Sequence, residues 1–451
     1  DKMDGVFLKR GQYTYPLDKE RVWHFVPLVN AGDKVQASAW LGQVDENFQP
    51  LKMMAPFTLQ GTATVKTIMP EGDYKIEDTI AILTDEEGND IPVTMIQRWP
   101  VKRAMTNYKE KPRPFKLLET GVRVIDTLNP IVEGGTGFIP GPFGTGKTVL
   151  QHAISKQAEA DIVIIAACGE RANEVVEIFT EFPELVDPHT GRKLMERTII
   201  IANTSNMPVA AREASIYTGV TLAEYYRDMG YDVAIMADST SRWAEALREL
   251  SGRLEEMPAE EGFPAYLASK LSAFYERAGM MQNLNGTEGS VSIIGAVSPQ
   301  GGDFSEPVTQ NTRRFVRCFW ALDKSLAYAR HYAAINWNQS TSEYIDELSH
   351  WYAENINRSF LTLRAELQEI LHEEDSLLEV VKLIGSDVLP EDQKLLLEIA
   401  RVVRVGYLQQ NAFHPDDMSV PMEKQFKMMK VIDYLYRACK SKVCLLYTSD
   451  A

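Results

Sequence analysis

Cysteine is scarce in this chain, and its spacing matches no common metal-binding or disulfide pattern. The four cysteines of the 451 residues are at positions 168, 318, 439 and 444, without a Cys-x-x-Cys pair. This count excludes a disulfide framework and a paired-cysteine zinc site, and it favours a reducing compartment.

Long apolar runs and an excess of positive charge are also lacking. The purest apolar run, Ile162–Cys168, is far shorter than the roughly 20 residues of a transmembrane helix, and the opening residues contain no apolar signal segment. The net charge is −16, with 47 basic and 63 acidic side chains. A chain this acidic is a poor general binder of nucleic acid or anionic lipid, so any link to a membrane is expected to come through partners.

The remaining composition is typical of a folded globular protein with several domains. Apolar residues make up 45% and charged residues 24%, which is an ordinary balance. Residues 1–100 predict a β-rich domain of short strands and turns, since residues 62–68 alternate in polarity. Residues 101–340 begin with a basic, proline-dotted linker and predict a nucleotide-binding domain. Residues 341–442 predict a helical domain, and residues 443–451, where the helical pattern stops, predict a non-native tail.

Five apolar segments predict the strands of a parallel sheet. They lack polar alternation, as strands buried on both faces do, and they comprise residues 137–139, 162–167, 198–202, 233–237 and 292–297. Helical stretches such as residues 149–160 and 220–229 lie between them, so the sequence predicts an α/β fold. Further on, residues 343–371 and 391–410 have helical spacing, and the acidic run 372–375 predicts a solvated helix face.

The most specific motif is Gly-Pro-Phe-Gly-Thr-Gly-Lys-Thr at residues 141–148, which matches the phosphate-binding P-loop between a strand and a helix. Glycines let consecutive N–H groups face an anion, and the helix that starts near Lys147 adds its positive end. Lys147 is expected to reach the β- and γ-phosphates, and the Thr148 hydroxyl to ligate Mg²⁺. The predicted nucleotide-binding residues of this segment are Gly141, Pro142, Phe143, Gly144, Thr145, Gly146, Lys147, Thr148 and Val149.

Two acidic residues follow other predicted strands. Asp238 ends an apolar strand, which is the Walker B arrangement, and is predicted to bind Mg²⁺, usually through water. Glu170 follows the strand that ends at Cys168 and can polarise a water for in-line attack on the γ-phosphate. Glu174 and Glu177 are nearby alternatives for that role.

Two arginines complete the predicted catalytic set with Lys147 and Glu170. Arg171 follows Glu170 directly, and it either stabilises phosphate charge or forms a structural ion pair with that glutamate. Arg242, close after Asp238, either reaches the phosphates or is a buried structural arginine.

Longer segments resemble the catalytic A subunit (alpha chain) of V-type and archaeal-type (V/A) rotary ATPases, from about residue 5 to about residue 440. They include Gly-Glu-Arg-Ala-Asn-Glu at 169–174, and residues 202–219, 236–249 and 274–279. The resemblance implies a RecA-like core, an A₃B₃ hexamer, and ATP turnover coupled to H⁺ or Na⁺ transport. It also implies that this sequence is truncated at both ends and lacks the N-terminal β-barrel. Thr145, where eukaryotic members commonly carry Cys, points to a prokaryotic enzyme.

The same resemblance implies roles for particular residues and partners. Glu170 corresponds to the catalytic glutamate, Arg242 to an arginine that faces the phosphates, and Tyr332 and Phe413 to two aromatics that hold the adenine. At the first aromatic the family commonly has Phe-Pro, whereas this chain has Tyr332-Ala333. Implied cofactors are Mg²⁺ with ATP or ADP. Implied partners are a B subunit with an arginine finger in trans, central and peripheral stalks and a membrane rotor, but no nucleic acid. The implied location is cytoplasmic, at the inner face of the plasma membrane.

Two other functions fit the P-loop. One is another hexameric RecA-like motor, either a Rho-like RNA translocase or a protein-export ATPase. The net charge of −16 argues against the translocase, and the β-rich domain before the core argues against both. The other is a regulatory subunit that binds nucleotide without turnover, against which the intact Lys147, Thr148, Glu170 and Asp238 argue.

Overall fold

A computed structural model describes residues 15–46 and 49–449, and the chain divides into two compact units. Among the described residues, the first unit comprises those up to residue 109 together with 283–287, and the second comprises residues 110–282 and those from 288 onward. The domain boundaries predicted from the sequence, at 100/101 and 340/341, stay predictions.

The first unit contains two four-stranded antiparallel sheets, with the strand orders β4-β3-β1-β6 and β2-β5-β7-β8. Its strands are β1 (Val22–Pro27), β2 (Lys34–Val35), β3 (Trp40–Glu46), β4 (Gln49–Met54), β5 (Ala63–Ile68), β6 (Gly72–Lys75), β7 (Ala81–Thr84) and β8 (Asp90–Val93). Inward-facing side chains such as Phe25, Leu41 and Leu83 form one apolar core. The predicted β-rich character of this part of the chain is confirmed.

The second unit is built on a mainly parallel sheet with the order β12-β11-β13-β15-β10-β16-β17. Strand β9 (Tyr108–Glu110) spans the boundary between the two units, and β14 (Gly279–Asn283) ends at another boundary. The other strands of this part are β10 (Thr136–Pro140), β11 (Ile162–Glu170), β12 (Thr198–Thr204), β13 (Asp232–Asp238), β15 (Glu288–Val297), β16 (Cys318–Phe319) and β17 (Thr341–Ser342). Strands β10 to β13, β15 and β16 run parallel, whereas β14 and β17 pair antiparallel to their neighbours. All five predicted apolar strands are present, which confirms the α/β core.

Helices follow the strands and cover the sheet. They are α1 (Lys147–Gln157), α2 (Ala172–Glu181), α3 (Val209–Asp228), α4 (Thr240–Arg253), α5 (Leu267–Tyr275), α6 (Pro307–Phe315) and α7 (Lys324–Tyr328). Residues such as Leu150 and Ile154 of α1 pack with the sheet residues Val163 and Ala234 in one apolar cluster. The sheet is therefore buried, and its carboxyl edge carries the loops that position the site.

The C-terminal part is helical, as predicted, but two of the predicted helices are interrupted. Its helices are α8 (Ile345–Asn355), α9 (Phe360–Ile384), α10 (Glu391–Val402), α11 (Pro415–Met418) and α12 (Met422–Ser449). The predicted helix 343–371 is divided because the Asn357 side chain accepts the Ser359 N–H at 2.9 Å and forms a turn. The predicted helix 391–410 ends at Val402, and wider π-helical turns continue over Val403–Leu408.

Two further predictions for this region need correction. The acidic run 372–375 is not wholly solvated, because Glu374 is buried and pairs with Arg404 at 2.9 Å. The helical pattern does not stop at Val443, since α12 continues to Ser449. Its last residues contain neither glycine nor proline to end the helix. None of the described helices is long and apolar enough to cross a membrane.

Candidate active site

The P-loop connects strand β10 to helix α1 at the carboxyl edge of the sheet. Gly146 occupies the position before the helix with φ +88°, a left-handed conformation that favours glycine, and Lys147 and Thr148 are the first helical residues. Gly146 has no side chain to cap the first turn, so the N–H groups there are available to an anion.

A cleft of about 750 Å³ opens around this loop, within the roughly 300–1,000 Å³ that is usual for ligand pockets. The predicted residues that line it are Pro142, Phe143, Gly144, Gly146, Lys147, Thr148, Val149, Glu170, Arg171, Asp238 and Arg242. Gly141 and Thr145 do not line the cleft: both are buried, and the Thr145 hydroxyl donates to the Pro142 carbonyl at 2.7 Å.

Thr148 and Asp238 lie in direct contact at the base of the cleft. The Thr148 hydroxyl donates to Asp238 Oδ2 at 2.9 Å. Burial raises the pKa of Asp238 to about 6, although the Thr148 hydrogen bond opposes that shift. Burial also lowers the pKa of Lys147, while the charge of Asp238 opposes this change. The site thus holds oxygen donors and a cationic side chain close together.

Glu170 is placed at the cleft by an irregularity at the end of β11. The register between β11 and β12 shifts between Cys168 and Glu170, and the intervening Gly169 has φ +69°. A side chain at Gly169 would also meet Arg212 Nε at 3.0 Å, so this position needs glycine. Burial raises the pKa of Glu170 to about 9, with further contributions from Asp238 and Glu174.

The two arginines line the cleft in different surroundings. The Arg171 guanidinium lies 4.8 Å from the centroid of the Phe143 ring, a cation–π contact within the site. Arg242 pairs with Glu245 at 2.9 Å, and its side chain is 49% exposed. Arg242 is therefore not a buried structural arginine.

The two predicted adenine-contacting aromatics are not among the residues that line the described cleft. Their segments are adjacent, because the Gln410 N–H donates to the Tyr332 carbonyl at 2.7 Å. Tyr332 is partly buried, which raises its pKa to about 12, whereas Phe413 is 95% exposed. Their role in binding adenine stays a prediction.

Sequence reasoning missed several residues of the cleft. Ser298 to Gly302 follow strand β15, Lys324 begins α7, and His152 lies on α1. For Ser298 to Gly302, the sequence feature that could have indicated a place at the site is the Pro-Gln-Gly-Gly-Asp segment at 299–303. It follows a predicted buried strand directly. Glu174 and Glu177, the alternatives to Glu170, also line the cleft.

Comparison with protein families matches nearly the whole chain. Residues 14–102 match the ATP synthase alpha/beta subunit barrel-sandwich domain, and residues 121–342 match the nucleotide-binding domain of the ATP synthase alpha/beta family. Residues 349–444 match the C-terminal domain of V- and A-type ATP synthases.

Relatives share more than half of the aligned residues. The chain is 55% identical over 438 residues to the V-type ATP synthase alpha chain of Halothermothrix orenii, covering 97% of this chain and 74% of the relative. It is 57% identical over 431 residues to the A subunit of the A-type ATP synthase of Methanopyrus kandleri, covering 95% and 72%.

One solved structure, of an ATPase from the type III secretion system of pathogenic bacteria, is similar in fold. Its TM-score is 0.59 at 24% identity, and the match covers 71% of this chain and 86% of the other. At that identity the similarity concerns the fold alone.

Proposed function

The chain belongs to the family of V-type and A-type ATP synthase A (alpha) subunits, and we propose that Glu170 and Asp238 are the carboxylates with which it turns over ATP. It is a P-loop ATPase and the catalytic subunit of a V/A-type rotary ATP synthase. One observation carries the proposed roles: the P-loop, Glu170 and Asp238 line one cleft at the carboxyl edge of the parallel sheet.

The phosphates would lie along the first turn of α1. The N–H groups at this helix end and the partly buried Lys147 provide positive charge there. Thr148 and Asp238 would hold Mg²⁺, since a hydroxyl and a carboxylate 2.9 Å apart are the oxygen donors that this ion prefers. When bound with the nucleotide, Mg²⁺ neutralises charge on the β- and γ-phosphates.

Glu170 would orient the attacking water and accept its proton. A carboxyl group whose pKa is raised by burial is a stronger base once it is ionised. Arg171 and Arg242, which line the same cleft, would stabilise charge on the phosphates. Tyr332 and Phe413 would hold the adenine after a movement that brings their adjoining segments to the nucleotide.

The chain works with other ATP synthase subunits, as family membership implies. The specific arrangement is our proposal: alternation with B subunits in an A₃B₃ hexamer, with an arginine finger from B completing the site. Such arginine fingers accelerate phosphoryl transfer roughly 10³–10⁵-fold. Central and peripheral stalks would link the hexamer to a rotor that transports H⁺ or Na⁺, at the inner face of the plasma membrane.

A protein-export motor or an RNA translocase is not favoured. The similarity to a secretion ATPase is at 24% identity, whereas the ATP synthase subunits reach 55–57%.

The role of Glu170 is tested by Glu170→Gln in the assembled ATPase. Because the amide keeps the shape but accepts no proton, we expect turnover to fall by roughly 10²–10⁴ while Mg²⁺-ATP still binds. Glu181→Gln, on the exposed part of α2 outside the cleft, is the matched control and should keep full activity. Surviving turnover in the Glu170 variant would show that another group activates the water.

A further inference from the structure

A small cavity lies against the catalytic cleft, among α1, α2, β11 and β13. Its volume is about 10 Å³, close to the roughly 10–15 Å³ that a single water needs. Thr148, Glu170, Glu174 and Asp238 line both this cavity and the cleft. The cavity therefore lies directly behind the proposed catalytic carboxylate.

Gln151 lines the same cavity from helix α1. Its side chain is buried, and its amide nitrogen lies 3.2 Å from the Ile294 carbonyl oxygen and 3.5 Å from that of Ala237. Turning the amide over would place Gln151 Oε1 against those two carbonyl oxygens, so the hydrogen-bond network fixes its orientation.

The orientation leaves one polar atom without a protein partner. Within the described part of the chain, Gln151 Oε1 is fully buried and accepts no hydrogen bond. Buried carbonyl oxygens nearly always have a protein or water partner. The other polar groups along the cavity are the carboxyl groups of Glu170, Glu174 and Asp238, whose Oδ2 accepts the Thr148 hydroxyl, and the imidazole of His152. Of these, Glu170 is the group to which the proposed function assigns the attacking water.

We propose that this cavity binds one ordered water, which donates to Gln151 Oε1 and to a carboxyl oxygen of Glu170. Gln151 is then a positioning residue. Through the water it fixes one carboxyl oxygen of Glu170 at the cavity, so that the other carboxyl oxygen faces the cleft. The positioning role rests on the proposed catalytic function of Glu170, whereas the water site itself does not.

The first test is the Gln151→Met substitution in the assembled ATPase. Methionine nearly preserves the volume but removes the acceptor, together with the amide donor that contacts the Ile294 and Ala237 carbonyl oxygens. We expect kcat to fall roughly tenfold or more, with KM for ATP changed less than about twofold. Gln157→Met is the matched control: Gln157 is a second buried glutamine of α1 with an unpartnered Oε1, and it lies outside the residues that line the cavity and the cleft. An unchanged kcat for Gln151→Met, or an equal loss in both variants, would overturn the positioning role.

The second test needs no variant. A high-resolution structure of the wild-type complex should show density for one water within hydrogen-bond distance of both Gln151 Oε1 and Glu170. A dry cavity would overturn the proposal even if Glu170→Gln abolishes turnover. Conversely, turnover that survives Glu170→Gln would overturn the proposed function and the positioning role, while a bound water would still support the site.

Discussion

At the scale of the residue, the cleft concentrates carboxyl groups that a bound cation would stabilise. Burial raises the pKa of Asp238 to about 6 and that of Glu170 to about 9, and Glu174 lies close to both. Lys147 is the cationic side chain of the P-loop, and burial lowers its pKa. Ionisation of the carboxyl groups is therefore expected to be coupled to the binding of Mg²⁺-nucleotide.

Asp238→Asn tests the proposed metal site. Asparagine can still accept the Thr148 hydrogen bond but lacks the charge that attracts Mg²⁺, so half-maximal hydrolysis should need roughly tenfold or more Mg²⁺. Hydrolysis measured against free Mg²⁺ at saturating ATP gives this value. Asp232→Asn, at the opposite end of β13, is the matched control and should leave the Mg²⁺ requirement unchanged.

The pH dependence of Mg²⁺ binding has a definite sign. Burial raises the pKa of Asp238 to about 6, so protons compete with the metal for this carboxylate more strongly as the pH falls through that value. Mg²⁺ affinity should therefore weaken below about pH 6 in the wild type. Titrations at several pH values measure this trend, and an Asp238→Asn variant with the same pH dependence would assign the titration to another group.

The individual site residues differ in how far sequence predicts them. Lys147 and Thr148 were predictable because the P-loop spacing is local, and Asp238 because an acid ends an apolar strand. Ser298 to Gly302 also follow a predicted strand, but their place at this particular cleft depends on β15 lying between β13 and β10, which local sequence does not reveal. Gln151 belongs to no recognisable motif. Its proposed role follows only from the structure, where its side chain contacts β13 and β15.

At the scale of the element, one partly buried ion pair connects helix α9 to the π-helical turns after α10. Glu374 has a side chain only 5% exposed, and its Oε1 accepts from both Nη2 and Nε of Arg404 at 2.9 and 3.0 Å. The pair therefore fixes the position of the helical segment from which the chain continues to Phe413.

Replacing Glu374 should destabilise this part of the chain. Glu374→Gln removes the charge partner of Arg404, but burial raises the pKa of Glu374 despite that arginine and Arg404 is partly exposed. We therefore expect a loss of at most about 1 kcal/mol in the free energy of unfolding. Glu373→Gln, at the exposed neighbouring position on α9, is the matched control and should change little. Thermal unfolding of both variants measures the difference, and equal midpoints would show that the ion pair contributes no net stability.

The same helices show why element boundaries escape sequence analysis. Apolar residues recur at helical spacing throughout residues 343–371. The sequence pattern therefore gives no sign of the Asn357 turn that separates α8 from α9. The ending of α10 at Val402 is equally hidden. Shortly after that helix end, the buried Arg123 guanidinium donates to the carbonyl oxygens of Tyr407 and Gln409. These hydrogen bonds hold residues 407–409 through an arginine that is distant in sequence.

At the scale of the whole molecule, the sequence and the comparisons lead to the same family. The relatives are 55–57% identical over at least 95% of the chain, and three ATP synthase domains match along its length. The net charge of −16 is consistent with a motor that acts through protein partners rather than nucleic acid. The parallel sheet and its cleft provide the binding loops, and we propose that a B subunit completes the site.

The most direct test of this account is Mg²⁺-ATP hydrolysis by the full-length protein, measured with and without its B partner. We expect strong stimulation by B, because an arginine finger in trans would stabilise the charge that develops on the transferred phosphoryl group. Equal turnover in the absence of B would contradict an active site that is completed at an A–B interface, and would indicate a self-sufficient motor instead.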